Sequence, residues 1–540
     1  MGLTSNSGRP SPFCSAFPKV NPLRFQFYNH GDPLTRQHYF ATILIVLVTA
    51  AILAAGCTTQ ATGSSPKSAA DTALAQADAA YAATNYHAAE SLYLLAQENY
   101  TTAGDNAAAL KARNGASRSY RMIMEFPYNR SAYEAVLLAA YPNVSAERRA
   151  GWINGSGIAS IQSDNETWYY EENVGNIRFH NFDLMQNATA ALGQNPLYDP
   201  LTKYAFAPVN ASAGPYGAPV AWVGTEAISV PREDLPANGT LKIWLPLPIE
   251  TGSQTNVTIL SIEPAQYVKS ETGTGTDMGV AYLEVPVSEI NGSFLNVTAT
   301  FRFVQHDQHF TIDPVKVLPY NTSSPEYRKY TASGTNIVIT PAMKAKAQEI
   351  VGNETNPYLQ AQKIYWYIVD TIPYSHAPHS WLMTSGTPES EYVLDTGIGD
   401  CGTQSMYFAA LCRSLGIPAR AAGGYQIIPP GNGSTHFWAE YYLEGYGWIP
   451  VDVTAAETAD WAYNAIPDDR HRFKAYYFGS LDPYRYVIQK DVDIPLTPTP
   501  PDDAVLFRMV IQNPVTVCDT CQDDPEMLLL ENFTTSLKKA

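Results

Sequence analysis

One cysteine of the chain stands where a thiol nucleophile could act. Cys401 follows the glycine-rich residues 397–400 and opens a segment whose apolar residues recur at helical spacing until Gly416 and Pro418 end it. The pattern predicts a helix with Cys401 in its first turn, where the positive helix end favours a thiolate and unpaired amides can hold an oxyanion. Cys412 falls on the apolar face of the same helix, and we interpret it as a core residue.

A thiolate nucleophile needs a nearby base, and the base needs a group that orients it. His436 opens one strand-like run and Asp452 closes the next, with a glycine-containing turn between them. A hairpin puts both side chains on one face if its turn is a three-residue loop or contains a bulge, and Gly445 and Gly447 permit either. Cys401, His436 and Asp452 are therefore the predicted catalytic residues.

The sequence around these three residues resembles the transglutaminase-like superfamily. The resemblance covers residues 335–480 and rests on Gly-x-Cys401, Gly416-Ile-Pro-Ala-Arg420, Gly424-Tyr425, His436-x-Trp438-x-Glu440 and Gly447-Trp448-x-Pro-x-Asp452-x-Thr454. It implies a papain-like α+β core with Cys401 as nucleophile, His436 as base and Asp452 as orienter. It also implies acyl transfer from glutamine side chains to amines, or hydrolysis of peptide and other amide bonds, although some members only bind.

Other residues are weaker candidates for this site. Trp438 could shield the histidine–aspartate pair or simply belong to the core. Tyr374 could help to bind an oxyanion, as the resemblance suggests, or belong to a strand core. His376 and His379 could line a cleft, but we interpret them as solvated loop residues.

No metal or cofactor is expected. His306 and His309 are three apart in a strand-like run, which points their rings to opposite faces. Cys518 and Cys521 have the spacing of zinc and redox motifs, but no second cysteine pair or histidine pair completes a zinc set. We predict a local disulfide or a free surface pair there.

The patterning along the chain predicts a multidomain protein. Residues 58–145 are alanine-rich and helical, with one or two tetratricopeptide-like hairpins or a plain bundle as alternatives. Residues 146–215 lack a sustained period and are interpreted as an irregular connector. Residues 216–330 predict a β-sandwich, residues 331–494 the α+β catalytic core, and the proline-rich residues 495–540 a C-terminal tail.

An apolar run near the N-terminus predicts export and membrane attachment. Residues 39–56 carry no charge, follow Arg24 and Arg36, and end in small residues before Cys57. Residues 1–57 therefore predict a cytoplasmic n-region and a lipoprotein-type signal with lipid on Cys57, or else an uncleaved anchor. Fifteen N-x-[ST] sequons, which lack proline at x, favour a glycosylated surface protein, and with the lipobox suggest an archaeal one.

Composition narrows the class of partner. The 540 residues are 45% hydrophobic, which suits several globular domains, and the net charge of −17 disfavours nucleic acid. We expect a thiol enzyme on the extracellular face of the membrane that cleaves or transfers acyl groups of surface proteins or cell-envelope peptides. A protein-crosslinking acyltransferase and a non-enzymatic adhesion or assembly module with an unused triad are the alternatives.

Hydrolysis is favoured over transfer because of the loops expected around the nucleophile. A transferase needs an apolar tunnel that excludes water, and Trp381, Trp438 and Trp448 could wall one. Residues 375–396 and 429–434, however, are polar or glycine- and proline-rich and predict loops open to water.

Overall fold

A computed structural model describes residues 65–155, 157–185, 198–207, 214–429, 431–461, 467–521 and 524–540. The predicted n-region, anchor and lipid site at residues 1–57 lie outside these ranges, as do the sequons at Asn187 and Asn210. Among the helices that are described, none has both the length and the apolar character needed to cross a bilayer.

Three consecutive helices form the predicted N-terminal helical region. They are α1 (Pro66–Ala82), α2 (Tyr86–Thr102) and α3 (Asn106–Glu125), joined by short turns. Alanines and tyrosines spaced three or four apart are buried along their seam. Tyr93 of α2 lies so close to Gly115 of α3 that a Cβ there would stand 2.5 Å from the ring. The helical region is confirmed, whereas its likeness to tetratricopeptide repeats stays a prediction.

The segment expected to be an irregular connector contains regular structure. Within residues 146–215 it holds α5 (Ala146–Ile153), β2 (Ser160–Ser163), β3 (Glu166–Tyr169), α6 (Asn173–Phe179) and α7 (Tyr198–Ala205). Just before it, at the end of the predicted helical region, come β1 (Tyr128–Asn129) and α4 (Arg130–Ala140). The three strands form a sheet in the order β1-β3-β2, packed on Tyr133 and Leu137 of α4. Most of these helices are about two turns long, and the longer strands have four residues. Such short elements do not show a recognisable period of apolar residues in the sequence.

Two large sheets follow. Their first six strands are β4 (Tyr216–Pro231), β5 (Thr240–Pro246), β6 (Gln254–Glu263), β7 (Val268–Glu271), β8 (Val280–Pro286) and β9 (Phe294–His309). Strands β4 and β9 pair antiparallel over most of their length, and β5, β7 and β8 belong to the second sheet. Alternate apolar side chains such as Ile228, Ile243, Leu283 and Val297 fill the layer between the sheets.

The helices and strands of residues 325–489 pack around one central helix. The helices are α8 (Pro325–Tyr330), α9 (Pro341–Val351), α10 (Pro357–Thr371), α11 (His379–Ser385), α12 (Glu389–Thr396), α13 (Cys401–Ser414), α14 (Val453–Trp461) and α15 (Pro467–Tyr476). The strands are β10 (Ala419–Ile428), β11 (Asn432–Leu443), β12 (Gly447–Val451), β13 (Ser480–Leu481) and β14 (Arg485–Gln489). Twelve of the fourteen residues of α13 are buried, which makes it the core helix.

Caps explain where several core helices begin and end. Thr340 and Asn356 cap α9 and α10, and each helix has proline as its first residue, as the sequence predicted. Residues 375–396, expected to be an open polar loop, instead contain α11 and α12. Each of these two helices ends at a glycine in the left-handed conformation, Gly386 and Gly397.

Residues 495–540 are not a tail. They include β15 (Val515–Cys518), α16 (Pro525–Glu531) and β16 (Phe533–Lys539). Strand β15 pairs with β5, while β16 lies between β4 and β11, giving the order β13-β9-β4-β16-β11-β10-β14 with β6 on β9 and β12 on β11. Residues 216–330, predicted to form a β-sandwich, thus share one sheet with β10, β11 and β14. The prolines at 495–501 had hidden the strands beyond them.

Candidate active site

Cys401 is the first residue of α13, and a capping box fixes its position. The side chain of Asp400 accepts hydrogen bonds at 3.0 Å from the N–H groups of Gly402 and Thr403. In return, the N–H of Asp400 donates to the Thr403 hydroxyl at 2.8 Å. Cys401 is partly exposed whereas Cys412 is buried, so only the first of these thiols reaches the edge of the core.

The β11–β12 hairpin brings the other two predicted residues together. Leu443 pairs with Gly447, so the turn has three residues, and Gly445 within it has a φ of 89° that glycine adopts without strain. This is one of the two turn geometries expected from the sequence. It puts His436 and Asp452 on the same face, with Nε2 of the histidine 2.8 Å from a carboxylate oxygen of the aspartate.

Asp452 is fully buried and strongly held. It accepts a hydrogen bond from the N–H of Ala455 at 2.9 Å and binds the guanidinium of Arg485, which also binds Asp482 at 2.9 Å. Burial alone would raise the pKa of Asp452, but the charges of His436 and Arg485 outweigh it and keep that pKa well below its usual range. The ionised carboxylate faces Nε2, so Nδ1 is the ring nitrogen of His436 that lies away from Asp452.

The thiol of Cys401 lies against the strand that carries His436. The N–H groups of Phe437, which follows His436, and of Gly402 both favour its thiolate form. Burial and the charges of Asp400 and Asp452 oppose ionisation more strongly, so the pKa of Cys401 is raised. The helix start favours a thiolate, as expected, but it does not outweigh these opposing effects.

Trp438 is buried beside the histidine–aspartate pair. Its ring centroid is 6.3 Å from that of His436, and the guanidinium of Arg485 stands 5.3 Å from it. The side chain thus belongs to the core and covers the pair at the same time, so the two interpretations of this residue do not exclude each other.

Tyr374 lies beside the loop that leads to the nucleophile. Its backbone forms a parallel bridge with Gly399, and its ring meets those of Phe179 and His376 at 4.9 and 5.4 Å. A role in binding an oxyanion stays a prediction for this residue.

His379 is not a solvated loop residue, contrary to expectation. It begins α11, and its ring lies between two carboxylates. Nδ1 is 3.1 Å from Glu389, and Nε2 is 2.8 Å from Asp400, the cap of the nucleophile's helix. The two partners lie ten and 21 residues further along the chain, and no local period connects them.

Two further residues that shape the site were missed by sequence reasoning. Gln512 from the C-terminal segment donates from Nε2 to the carbonyl groups of Gly424 at 2.8 Å and His436 at 2.7 Å. A Cβ on Gly424 would lie 1.9 Å from the carbonyl oxygen of Tyr486, so the glycine allows β14 and Arg485 to approach. The Gly424-Tyr425 motif was a signal for this contact, whereas nothing near Gln512 was.

The rings of His306 and His309 have separate partners. His306 binds the carbonyl of Gly217 at 3.0 Å through Nδ1, and His309 binds Asp307 at 2.9 Å through Nε2. Within the described ranges, no three histidine, cysteine or carboxylate side chains are grouped so that they could hold a metal ion.

Cys518 and Cys521 form a disulfide bond, one of the two predicted states. Cys518 is buried at the end of β15, so the pair does not lie wholly at the surface.

Two features expected around the nucleophile are arranged differently. Trp448 is the second residue of β12, near the end of that strand away from Asp452, and its ring packs on Arg420 at 3.9 Å and on Tyr330 at 4.8 Å. Of the second segment expected to be an open loop, residues 432–434 belong to β11, and Asn432 pairs with both β10 and β16.

Comparison with known proteins identifies the core. Residues 344–453 match the model of the transglutaminase-like superfamily. An uncharacterized protein of Haemophilus influenzae is 30% identical over 162 residues, 26% of this chain and 42% of that protein. A protein-glutamine gamma-glutamyltransferase of Pseudomonas aeruginosa is 31% identical over 94 residues, 15% of this chain and 14% of the relative. The chain therefore spans less than half the length of these curated relatives.

Solved structures give fold-level likenesses. A candidate cysteine protease from Cytophaga hutchinsonii aligns with a TM-score of 0.37 and 14% identity, covering 60% of this chain and 92% of that one. The periplasmic domain of TgpA from Pseudomonas aeruginosa aligns with a TM-score of 0.22 and 16% identity, covering 44% and 96%.

Proposed function

We propose, from the transglutaminase-like domain at residues 344–453, that the protein is a thiol enzyme that opens amide bonds through a thioester on Cys401. One observation carries the proposal. His436 lies on the strand that packs against the thiol at the start of α13. Its Nε2 is 2.8 Å from a carboxylate oxygen of Asp452, which is buried and ionised. That arrangement supplies a nucleophile, a base and a group that orients the base.

The reaction follows from the positions of these groups. As the sulfur attacks the amide carbon, the proton of Cys401 passes to Nδ1 of His436, and the amide groups at the start of α13 can stabilise the oxyanion. The C–N bond then breaks, and His436 returns the proton to the departing amine. His436 next deprotonates a water, which attacks the thioester carbon. The C–S bond breaks, an acid is released, and the thiol regains a proton.

Water is proposed as the acceptor because the surroundings of the nucleophile are charged. Asp400 precedes Cys401 and is paired with His379, which also binds Glu389, whereas a transferase would need apolar walls around the nucleophile. Trp448, a candidate wall, is near the end of β12 away from Asp452. Transfer to an amine is the second candidate. It is supported by the gamma-glutamyltransferase from Pseudomonas aeruginosa, whose similarity covers 15% of this chain.

We further propose that the enzyme works on the extracellular face of the membrane, on surface proteins or cell-envelope peptides. The support comes from the uncharged residues 39–56 before Cys57, the fifteen sequons, and the disulfide between Cys518 and Cys521, a bond that persists in oxidising compartments. Attachment through lipid on Cys57 or through an uncleaved anchor accounts equally for these features.

The test is incubation with a peptide library, with and without a millimolar primary amine, followed by mass analysis. We expect released acid that disappears in Cys401→Ala but persists in Cys412→Ala, the matched change at the other free thiol. Amide product that dominates over acid would replace the hydrolase by the acyltransferase. No product with any peptide would favour an adhesion or assembly module with an unused triad.

A further inference from the structure

We propose that His379 is a positioning residue of this site, whose imidazolium offsets the charge that Asp400 places beside the nucleophile. The inference rests on the proposed function, because it concerns how the same thiol becomes reactive. It arises from a conflict at the start of α13. The carboxylate that caps the helix is also the nearest anion in sequence to the sulfur that has to become negative.

The two oxygens of Asp400 have separate tasks. Oδ1 accepts the N–H bonds of Gly402 and Thr403 and so holds the first turn. Oδ2 faces away from the helix, accepting from the N–H of Ala377 at 3.3 Å and lying 2.8 Å from Nε2 of His379. The cap is therefore retained while its charge is shared with a cation.

The ring of His379 is held in its protonated form by geometry. Both of its nitrogens face carboxylates, Nδ1 at 3.1 Å from Glu389 and Nε2 at 2.8 Å from Asp400, and a ring that donates from both nitrogens is an imidazolium. Burial alone would lower the pKa of His379, but Glu389 and Asp400 raise it well above its usual value. The cation therefore persists at neutral pH.

The N-terminal helical region sets the position of His379. Glu125, the last residue of α3, accepts from the N–H groups of Ser380 at 2.8 Å and Trp381 at 2.7 Å, capping α11 from outside. The Tyr170 hydroxyl donates to the carbonyl of Ala377 at 3.0 Å. Helix α11 is thus fixed by residues more than 200 positions earlier in the chain.

Other titratable groups face this ion pair from several elements. His376 faces Asp400 from the preceding loop, Asp493 faces Glu389, and Tyr392 faces both carboxylates. Glu125 faces His379, and Tyr170 faces Asp400. On the side of the thiol, Asp452 also opposes ionisation. Of the two histidines that face Asp400, only His379 is hydrogen-bonded to its carboxylate.

The test is the pH profile of Cys401 alkylation by iodoacetamide in the full chain, followed by peptide mass analysis. In His379→Gln we expect alkylation at neutral pH to be on the order of tenfold slower, with the profile shifted up by about one pH unit. Asp400→Asn keeps a capping oxygen but removes the charge, so it should shift the profile down. Exposed His471, stacked on Trp366, gives the matched control His471→Gln, which should change nothing.

The double variant decides whether His379 acts through Asp400. In the Asp400→Asn background, His379→Gln should have no further effect, because the charge that it offsets is gone. An equal shift in both backgrounds, or no shift in either, would overturn the proposal. If His379→Gln does not fold, Glu389→Gln is the second variant, because it keeps the imidazole ring while weakening its protonation. We expect it to shift the pH profile of Cys401 alkylation upwards by less than His379→Gln would. An unchanged profile would contradict the proposal.

This experiment separates the inference from the proposed function. A shifted alkylation profile in a protein that turns over no amide supports the role of His379 and refutes the enzyme. Turnover that falls in His379→Gln while the alkylation profile stays unchanged supports the enzyme and refutes the role of His379.

Discussion

Two buried carboxylates offer a matched test of how the histidine is oriented. Asp452 and Asp482 are both fully buried, and both bind the guanidinium of Arg485. Only Asp452 also contacts His436. Replacing each by asparagine in turn therefore removes a comparable share of the Arg485 ion pairing, while only one of the two replacements disturbs the proposed base.

The expected magnitudes follow from these contacts. Each exchange leaves Arg485 with one carboxylate in place of two, and we expect either to lower the free energy of unfolding by about 2–3 kcal/mol. Turnover, in contrast, should differ between the two variants. Asp452→Asn loses the charge that stabilises the imidazolium of His436 and should slow turnover by about 10²–10⁴-fold. Asp482→Asn leaves that contact intact and should turn over close to wild type.

Denaturant unfolding and peptide turnover, measured on the same preparations, check both expectations. The free energy of unfolding should also depend on pH. Because the folded-state pKa of Asp452 is lowered, its contribution is present above about pH 4, the unfolded value, and is lost as the pH falls towards the folded value. The stability gap between wild type and Asp452→Asn should therefore close in acid. Equal loss of turnover in both variants would show that Arg485 pairing, and not orientation of His436, is what turnover requires.

Four shorter predictions concern other parts of the molecule. Cys401 should alkylate faster than buried Cys412 at neutral pH, since only its thiol is accessible; equal labelling would count against the site. Burial raises the pKa of Glu125 to about 7, so thermal stability should fall as the pH rises from about 4 to 7, and Glu125→Gln should flatten that slope. Gly424→Ala, with its Cβ 1.9 Å from a carbonyl oxygen of β14, should cost about 3 kcal/mol or more in a melt, and wild-type stability would contradict the packing described. Native protein should carry glycan on several sequons and begin at a lipid-modified Cys57; a bare mass retaining residues 1–56 would exclude both.

Local patterns predicted the centre of the site well. The helix after Cys401 and the turn between β11 and β12 depend on residues within a few positions of one another, where helix and turn chemistry is readable. The caps of α9 and α10 at Thr340-Pro341 and Asn356-Pro357 are equally local, since each site joins an N-cap residue to a proline at the first helical position.

Contacts between segments that are far apart in the chain could not be predicted from local sequence patterns. His379 depends on Asp400 and on Glu125, and the sequence gives no period that joins them. The thiol was expected to be acidic because only the helix end was considered, whereas burial and the charges of Asp400 and Asp452 oppose ionisation. The same limitation hid β15 and β16, whose partners β5 and β4 lie hundreds of residues earlier.

The place of β16 in the large sheet has a consequence for biosynthesis. A ribosome makes β4 first, then the catalytic helix and hairpin, and the strand that joins β4 to β11 last. Until residues 533–539 leave the ribosome, the edges of β4 and β11 lack their partner, and Gln512 reaches the strand of His436 only shortly before. Such long-range pairing forms slowly, and partly made chains expose strand edges. Assembly of the large sheet is thus deferred until residues 533–539 have been made, well after the helix of Cys401.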